Sequence, residues 1–440
     1  MKKELFLPYF EGKKVTVMGL GLLGRGIGDT SFLASLCDEV IVTDKKTEEE
    51  LSSSIDSLKQ YNNIIFHLGG HNLMDFRNRD FVLKAAGVPY DSEYVNEASL
   101  VRLPVYMSGA LVVKMVKEKL PNVKVIGITG TRGKSTTTHL IEHILKVNNK
   151  TVHLGGNIRG VANLPLLNEI EDGDYLVMEL DSWQLQGFGD LGISPNIAVF
   201  TSFLDDHLNY YHNDKEFYFK DKANIFLNQK EGDVCIVGEQ AEEEIKKRSN
   251  KKFIVPEIIS LESNLIGYHN DVAISLAVEA AINCGIEKEE AIKAVQNFKA
   301  VDGRLQYVGN FRGIKVFNDN NATTPDATAV AIKSIVEKYN QKPIVILGGA
   351  SKGLSLIKLE EEIKNNIKEV VCLSGTGTDE LKLEKKYEFE KLEDCVDCSF
   401  QIAKEGDIIL FSPAFASFSK YFRNEYEKND LFVSCLEKYI

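Results

Sequence analysis

One short segment constrains the fold of this chain more than any other: an apolar run that enters a glycine-rich turn and continues as a helical pattern. Residues 125–128 form the apolar run, and Gly-Thr-Arg-Gly-Lys-Ser-Thr follows over residues 130–136. In such a turn the glycines let backbone N–H groups point at a phosphate, the lysine reaches the terminal phosphates, and the serine hydroxyl can meet Mg²⁺. We therefore expect a nucleoside triphosphate to bind here. Ile128 stands where the eight-residue form of this loop has glycine, so the loop is a variant.

The rest of the chain alternates short β-branched runs with longer helical patterns. The runs predicted as strands lie at residues 14–18, 40–43, 64–67, 123–128, 175–180, 197–201, 234–237, 343–347, 369–373 and 407–412. This alternation predicts α/β domains, each a parallel sheet covered by helices. Strand-to-glycine transitions recur three times, at residues 19–24, 127–133 and 348–353, which indicates three wound domains in the 440 residues. We place them at residues 1–110, 111–301 and 302–440.

The composition argues against several classes of protein. No stretch approaches the ~20 apolar residues of a membrane span, and the first residues lack a secretory apolar region. We therefore expect a cytoplasmic protein that does not insert into membranes. The net charge of −12 argues against a non-specific nucleic-acid binder, because such proteins display basic faces. The seven cysteines form an odd, scattered set that predicts no disulfide framework, and the lone pair Cys395 and Cys398 fits packing as well as zinc or redox chemistry.

A second glycine motif opens the first predicted domain. Gly-Leu-Gly-Leu-Leu-Gly at 19–24 directly follows a predicted strand, and Asp44 ends the next one twenty residues later. This spacing is typical of a dinucleotide fold, in which the glycines admit a pyrophosphate and the acid binds a ribose hydroxyl. Two interpretations stay open: an NAD(P)-dependent dehydrogenase, and a site for another nucleotide-linked group such as a uridine diphosphate. Lys45 and Lys46 fit either a phosphate contact or a solvated loop.

The central domain carries polar residues that a plain nucleotide-binding module does not need. Glu179 ends an apolar strand, and the next strand runs into Asp205, Asp206 and His207. Ligands bind at the carboxyl ends of the strands of such sheets, and Mg²⁺ takes oxygen ligands and neutralises charge on a transferred phosphoryl group. Together with Lys134, these residues predict metal-assisted phosphoryl transfer.

Taken in order, the motifs of the whole chain resemble those of the Mur ligases. They are residues 129–136, 155–158, Glu179 with Ser182 and Gln184, 206–207, 222–226, 269–270, 303–304, 318–319, 412–414 and 416–418. The resemblance is closest to the members that add D-glutamate. It implies a Rossmann-like first domain that binds the UDP-linked substrate, a central P-loop ATPase domain and a Rossmann-like third domain. It also implies a monomeric, ATP-dependent ligase that joins D-glutamate to UDP-N-acetylmuramoyl-L-alanine through an acyl phosphate. Such an enzyme works in peptidoglycan synthesis, and therefore in cell-wall biogenesis, cell shape and division.

The resemblance also implies roles for single residues. Lys134 would contact the β- and γ-phosphates, Ser135 and Glu179 would hold one Mg²⁺, and His207 would help to place a second. Lys222 would carry a CO₂-derived carbamate, an anionic ligand of the second ion. Lys134, Glu179, His207 and Lys222 are the implied catalytic residues. The other implied positions are Gly130, Thr131, Arg132, Gly133, Thr136, Asn270, Arg304 and Asp319 for ATP; Gly21, Leu22, Leu23, Asp44, Lys45, Asn157 and Ser182 for the UDP-linked substrate; and Thr323, Lys352, Ser417 and Phe418 for the amino acid.

Three positions depart from the family pattern. Asn321 replaces a lysine, Ala273 replaces an asparagine, and Asp181 replaces a serine. An extra carboxylate at position 181 would repel an anionic substrate unless it serves a metal or Asn157. Two alternatives therefore stay open: a sister ligase for another amino acid or for folate polyglutamate, and a nucleotide-binding scaffold or amidotransferase partner that has lost ligation. The motif at 19–24 disfavours folate, and the predicted metal ligands disfavour a scaffold.

Overall fold

The computed structural model describes residues 2–22, 24–206, 210–383, 387–416, 422 and 425–440. These residues form two compact units: Met1–Glu257 with Ser275–Ile292, and Ile258–Ile274 with Lys293–Ile440. The first unit contains two five-stranded sheets and the second a six-stranded sheet. The predicted α/β class with three wound sheets is confirmed, whereas the three domain boundaries stay a prediction.

The first sheet is parallel throughout, with the strand order β3-β2-β1-β4-β5. Its strands are β1 (Lys14–Met18), β2 (Glu39–Asp44), β3 (Ile64–Leu68), β4 (Phe81–Lys84) and β5 (Val105–Tyr106), and its helices are α1 (Lys2–Phe6), α2 (Arg25–Ala34), α3 (Ser52–Asp56), α4 (Glu93–Leu100) and α5 (Ser108–Lys119). The central strands are almost wholly buried, which explains their continuous apolar sequences. Because the strands are parallel, their carboxyl ends lie at one edge, and that edge carries residues 19–22, Asp44 and Lys84.

The second sheet is also parallel, with the order β10-β9-β6-β8-β7. Its strands are β6 (Lys124–Thr129), β7 (Val152–Gly156), β8 (Tyr175–Glu179), β9 (Ile197–Phe200) and β10 (Val234–Val237), accompanied by α6 (Lys134–Val147), α7 (Ser182–Asp190), α8 (Lys215–Leu227) and α9 (Glu239–Lys246). Two further helices, α10 (Tyr268–Ile282) and α11 (Lys288–Gln296), follow along the chain. β6 is the central strand, so the glycine turn after it lies at the middle of the sheet edge.

The third sheet has the order β11-β12-β16-β13-β14-β15, with β11 antiparallel to β12 and the other neighbours parallel. Its strands are β11 (Gln306–Phe311), β12 (Ile314–Asn318), β13 (Ile344–Gly348), β14 (Glu369–Leu373), β15 (Tyr387–Phe389) and β16 (Ile408–Phe411), with α12 (Pro325–Tyr339), α13 (Ile357–Asn366), α14 (Thr376–Asp379), α15 (Leu392–Ile402) and α16 (Glu425–Leu436). Cys395 and Cys398 are buried free thiols on α15 and belong to the core of this sheet.

All ten apolar runs predicted as strands are strands, and each end agrees within one residue. The sequence pattern does not predict β4, β5, β7, β11, β12 and β15. β5 and β15 have only two and three residues, β4 ends in a lysine, and β7 ends in two glycines, so neither length nor composition marks them. None of the described helices is both long enough and apolar enough to cross a membrane.

Candidate active site

The turn between β6 and α6, residues 130–133, has the backbone that its glycines predict. Gly133 precedes the first residue of α6 with φ 84°, and Gly130 has φ 144°. A Cβ atom at Gly130 would lie 2.0 Å from the Thr201 hydroxyl oxygen, so only glycine fits. Ile128 is fully buried within β6, which therefore extends to Thr129 before the chain turns. That extension accounts for the missing glycine at position 128.

The residues that follow β9 hold this 130–133 loop in place. The Thr201 hydroxyl oxygen lies 3.1 Å from the Thr129 carbonyl oxygen and 2.5 Å from that of Arg132. The Arg132 amide donates to the Ser202 hydroxyl at 2.8 Å, and the Thr131 amide donates to the Ser202 carbonyl at 2.8 Å. The sequence does not mark Thr201 and Ser202 as loop-holding residues. Their only signal is that two hydroxyl residues follow β9, the strand next to β6.

Two lysines meet on this loop. The ammonium of Lys134 donates to the carbonyl oxygens of Gly130 at 2.9 Å and Thr131 at 3.2 Å. Lys222, on α8, is 2% exposed, and its Nζ also donates to the Gly130 carbonyl at 2.9 Å. Burial, helped by the nearby charge of Lys134, holds the pKa of Lys222 well below its usual value. The structure thus places Lys222 beside the loop, although its sequence context is that of a solvated helix lysine.

Glu179 ends β8, next to β6, where it pairs in register with Ile128. Its side chain is 5% exposed, and no hydrogen bond or ion pair of the described residues involves its carboxylate. A buried carboxylate is costly unless a cation or a donor meets it, so this position fits a metal ligand. The described residues contain no group of three or more His, Cys, Asp and Glu side chains that could hold a metal. His207, the further predicted ligand, lies outside the described residues.

A cavity of about 410 Å³ lies in the first unit, between the carboxyl edge of the first sheet and the start of α7. Its lining includes Gly21, Leu22 and Asn157, three of the positions predicted for the UDP-linked substrate. Arg25, at the start of α2, also lines it and donates from Nη1 to the Asn157 side-chain oxygen at 2.5 Å. The structure thus adds a cation to this cavity that the glycine motif alone did not reveal.

Asp44 shapes the glycine turn of the first sheet. One carboxylate oxygen accepts hydrogen bonds from the amides of Leu20 at 2.9 Å and Gly21 at 3.2 Å, and the other accepts from the amide of Lys46 at 2.9 Å. The acid therefore joins the loops that follow β1 and β2. Of the other positions predicted for this substrate, Ser182 is buried as the first residue of α7, Lys45 is exposed, and Leu23 lies outside the described residues.

A buried aspartate docks α2 onto the segment after β7. Asp29 is 5% exposed and accepts a hydrogen bond from the Leu164 amide at 2.8 Å. Burial raises its pKa to about 6, although its hydrogen bonds and the charge of Arg25 oppose the shift. At the adjacent residue the approach is close, because a Cβ atom at Gly28 would lie 2.4 Å from that of Ala162. This contact fixes the two sides of the cavity relative to each other.

Two long segments of the chain match models of one protein family. Residues 128–280 match the Mur ligase middle domain, and residues 303–415 match the Mur ligase, glutamate ligase domain. The chain belongs to the Mur ligase family. It is 31% identical to the UDP-N-acetylmuramoylalanine–D-glutamate ligase of Borreliella burgdorferi (strain ZS7), over 96% of this chain and 97% of the relative. It is 32% identical to the enzyme of that name from Clostridioides difficile (strain 630), over 93% and 95%.

Solved structures show the same fold. The UDP-N-acetylmuramate–alanine ligase of Thermotoga maritima superposes with a TM-score of 0.61 at 20% identity, covering 96% of this chain and 98% of that one. The MurF ligase of Thermotoga maritima, solved in complex with ADP, gives 0.59 at 18% identity, covering 91% and 96%. The family resemblance and the ligase class predicted from the motifs are confirmed.

The second unit of this Mur ligase holds the three positions predicted for the adenosine part of ATP, Asn270, Arg304 and Asp319. The buried Asn270 side chain donates to the Ile266 carbonyl at 2.8 Å. The Asp319 carboxylate accepts from the Leu305 amide at 3.0 Å and from the Ser412 hydroxyl at 3.0 Å. Asn270 and Asp319 therefore anchor the local backbone. Of the other predicted ATP residues, Arg304 lies two residues before β11, and Ser135 and Thr136 lie in the first turn of α6.

Two of the predicted amino-acid-binding residues come together. The Lys352 ammonium donates to the Thr323 hydroxyl at 3.1 Å, although 29 positions separate the two in sequence. Ser417 and Phe418, predicted for the same ligand, lie outside the described residues.

The departures from the Mur ligase pattern have local explanations. Asp181 is the N-cap of α7: its carboxylate accepts from the Gln184 amide at 2.8 Å, and the Gln184 side chain accepts from the Asp181 amide at 3.3 Å. Aspartate and serine are comparable N-caps, so this exchange preserves the start of the helix. Ala273 is buried in α10, and the Asn321 side chain donates to the Asp302 carbonyl at 3.3 Å.

Proposed function

We propose that this Mur ligase joins D-glutamate to UDP-N-acetylmuramoyl-L-alanine, consuming ATP and releasing ADP and phosphate. The relatives that carry this activity in their names, at about 30% identity over almost the whole chain, support the proposal. One structural observation carries it: Lys134 and Lys222 both donate to the Gly130 carbonyl, on the strand-turn-helix unit that neighbours the buried side chain of Glu179.

The reaction has two steps. The alanine carboxylate attacks the γ-phosphorus of ATP, and the bond to the β-phosphate oxygen breaks, which gives an acyl phosphate and ADP. The neutral amine of D-glutamate then adds to the acyl carbon. The tetrahedral intermediate loses phosphate, the nitrogen loses a proton, and an amide remains. Such chemistry depends on positioning and charge stabilisation, so Lys134 and the N-terminal amides of α6 would bind the terminal phosphates.

Mg²⁺ would neutralise charge on those phosphates. We assign Ser135 and Glu179 to one ion and His207 and Lys222 to the other. The fit at Glu179 rests on its buried side chain, whose carboxylate has no hydrogen-bond or ion-pair partner in the part of the chain that the structure describes. At Lys222 it rests on burial and on the charge of Lys134, which favour the neutral amine, the form that adds CO₂. The carbamate would turn a cationic side chain into an anionic oxygen ligand.

The UDP-linked substrate would occupy the cavity of the first unit. We assign Gly21, Leu22, Leu23, Asp44, Lys45, Asn157 and Ser182 to it. Arg25 supports this assignment, because a guanidinium beside a glycine turn and a helix N-terminus suits a diphosphate.

D-glutamate would bind in the second unit, where its two carboxylates need donors and at least one cation. Lys352 supplies the charge and Thr323 supplies a hydroxyl. We assign Ser417 and Phe418 to the same ligand. Asn270, Arg304 and Asp319 would meet the adenosine part of ATP. The proposal also includes the domain ranges 1–110, 111–301 and 302–440, a monomeric state and a cytoplasmic location.

The deciding experiment measures phosphate release from ATP with UDP-N-acetylmuramoyl-L-alanine and a panel of D- and L-amino acids. We expect release with D-glutamate and none with L-glutamate, and none without the UDP-linked substrate. Release with a different amino acid alone would identify a sister ligase. No release with any member of the panel would favour the non-ligating scaffold.

A further inference from the structure

We propose that Lys84 is a positioning residue for the UDP-linked substrate, because it fixes one wall of the cavity and ties that wall to α7. The wall is the segment 85–90, here called the 85–90 loop. The inference rests on the proposed function, which supplies the ligand of the cavity.

Lys84 is a buried cation held by its own loop. It ends β4, is 2% exposed, and donates from Nζ to the carbonyl oxygens of Ala85 at 3.2 Å and Val88 at 2.5 Å. The same nitrogen lies 4.4 Å from the centre of the Tyr90 ring. Two carbonyls and one aromatic face therefore surround the ammonium, and all three belong to the 85–90 loop.

The position of this loop matters for the glycine turn. Ala85, Ala86 and Gly87 line the cavity. Gly19 and Gly21, in the turn that follows β1, line it as well. A Cβ atom at Gly19 would lie 2.9 Å from that of Ala85, so the two segments are in close contact. A shift of the 85–90 loop would therefore move the predicted substrate-binding turn as well.

The loop is also tied to the opposite wall. The Tyr90 hydroxyl donates to the carboxylate of Asp190, the last residue of α7. The first turn of that helix supplies Trp183 and Gln184 to the cavity lining. A continuous path of contacts thus runs from Lys84 through Tyr90 and Asp190 to both walls.

The free-energy cost of burying the Lys84 charge distinguishes its role in ordering the 85–90 loop from a role in core packing. Burial lowers the pKa of Lys84 to about 7, with Asp190 and Asp181 as the acidic groups that oppose the shift. Lys84 is a buried lysine that lines the cavity, and burying its charge costs free energy. Removing that charge offsets the loss of its two hydrogen bonds, so we expect Lys84→Met to keep the fold and to lose the bonds that order the 85–90 loop.

The test compares Lys84→Met with Lys14→Met, the same change at an exposed lysine at the other end of the neighbouring strand β1. Binding of UDP-N-acetylmuramoyl-L-alanine is followed by the fluorescence of Trp183, the only tryptophan of the chain. Steady-state kinetics then give KM for each substrate, and kcat. For Lys84→Met we expect Kd and KM for the UDP-linked substrate to rise about tenfold, which corresponds to about 1.4 kcal/mol. KM for ATP, kcat and Tm should stay close to the wild-type values, and Lys14→Met should change nothing.

Tyr90→Phe provides a second, milder variant. It keeps the aromatic face and removes only the bond to Asp190, so we expect Kd for the UDP-linked substrate to rise about threefold. Combined with Lys84→Met it should add little, because the two residues act along one path. If Lys84→Met fails to fold, this variant decides, and an unchanged Kd in Tyr90→Phe would overturn the inference.

The outcomes separate the two proposals. Wild-type protein that does not bind the UDP-linked substrate would refute the proposed function itself. Wild-type binding with an unchanged Kd in Lys84→Met would refute the role of Lys84 and leave the function standing. An equal rise in KM for ATP and for the UDP-linked substrate would also refute it, since general loosening of the fold has no preference between them.

Discussion

At the residue scale, the first unit concentrates buried charge where the proposed substrates bind. Lys222 and Glu179 are buried beside the 130–133 loop, and Lys84 and Asp29 are buried beside the cavity. Burying an ionisable group costs free energy unless hydrogen bonds or an opposite charge meet it. Three of the four have such partners. Glu179, which has none among the described residues, is the residue assigned to Mg²⁺.

Lys222→Ala should abolish ligation. The change removes the amine that would carry the carbamate, and we expect kcat to fall by at least about 10²-fold, the size of effect seen when one preorganised electrostatic group is lost. Added bicarbonate should not restore activity, because no amine remains to react. Phosphate release measures the effect, and Lys220→Ala, an exposed lysine on the same helix, is the control. A full-rate Lys222→Ala enzyme would remove the carbamate role.

Asp29→Asn should change how stability depends on pH. The pKa of Asp29 is about 6 in the folded protein against 3.8 when unperturbed, so the folded state holds the proton more tightly. The contribution of Asp29 to the free energy of unfolding is therefore largest at low pH. It falls by about 2 to 3 kcal/mol as the pH rises from about 4 to about 6.

The asparagine variant lacks this dependence and keeps an acceptor for the Leu164 amide. As the pH rises across that range, its free energy of unfolding should therefore increase relative to that of wild type. Urea unfolding followed by Trp183 fluorescence measures this difference for the first unit. A difference that stays constant with pH would show that Asp29 does not titrate as described.

At the element scale, the site depends on turns that join a buried strand to a helix. The 130–133 loop combines glycine backbone angles with hydrogen bonds to Thr201 and Ser202 from the neighbouring strand end. The sequence predicts the turn because glycine, lysine and serine recur at fixed spacing within it. It does not reveal Thr201, whose role depends on β9 lying next to β6.

Gly130→Ala should therefore disable this turn. The new methyl group would lie 2.0 Å from the Thr201 hydroxyl oxygen and 2.8 Å from the Ser202 amide, at a φ of 144° that L-residues rarely adopt. We expect KM for ATP to rise about tenfold or more, since strain of about 1 to 3 kcal/mol must be relieved by moving the loop.

The matched control is Gly192→Ala, where φ is also positive, at 60°, but no heavy atom lies within 4 Å of the new methyl group. This variant should lose a little stability and keep its affinity for ATP. Equal KM values for ATP in the two variants would contradict the steric explanation.

At the scale of the whole molecule, the chain divides into two compact units, each with its own sheets and core. The cavity and Trp183 belong to the first unit, and Thr323 and Lys352 belong to the second. Proteins of this kind need not unfold in a single step. A ligand confined to one unit stabilises that unit by mass action.

Scanning calorimetry should show whether a ligand stabilises one unit and not the other, and thermal unfolding followed by Trp183 fluorescence identifies the transition of the first unit. At about 100 times its Kd, UDP-N-acetylmuramoyl-L-alanine should stabilise the first unit by about 2.7 kcal/mol. The transition reported by Trp183 fluorescence should therefore move to higher temperature, while the other transition stays in place. The control ligand is D-glutamate alone, which should leave the Trp183 transition unchanged. Equal shifts of all transitions with the UDP-linked substrate would contradict a cavity confined to the first unit.

The sequence by itself determined the α/β class, ten of the strands, the glycine turns and the family, because these depend on local periodicity and on motifs with fixed spacing. Only the tertiary structure decided that Lys222 contacts the Gly130 carbonyl, that Asp181 caps a helix, and that Lys84 holds the wall of a cavity. The physical reason is that burial and hydrogen bonding join residues far apart in sequence. A lysine in a solvated-looking helix and a lysine buried at a strand end have no local signature until the sheets pack.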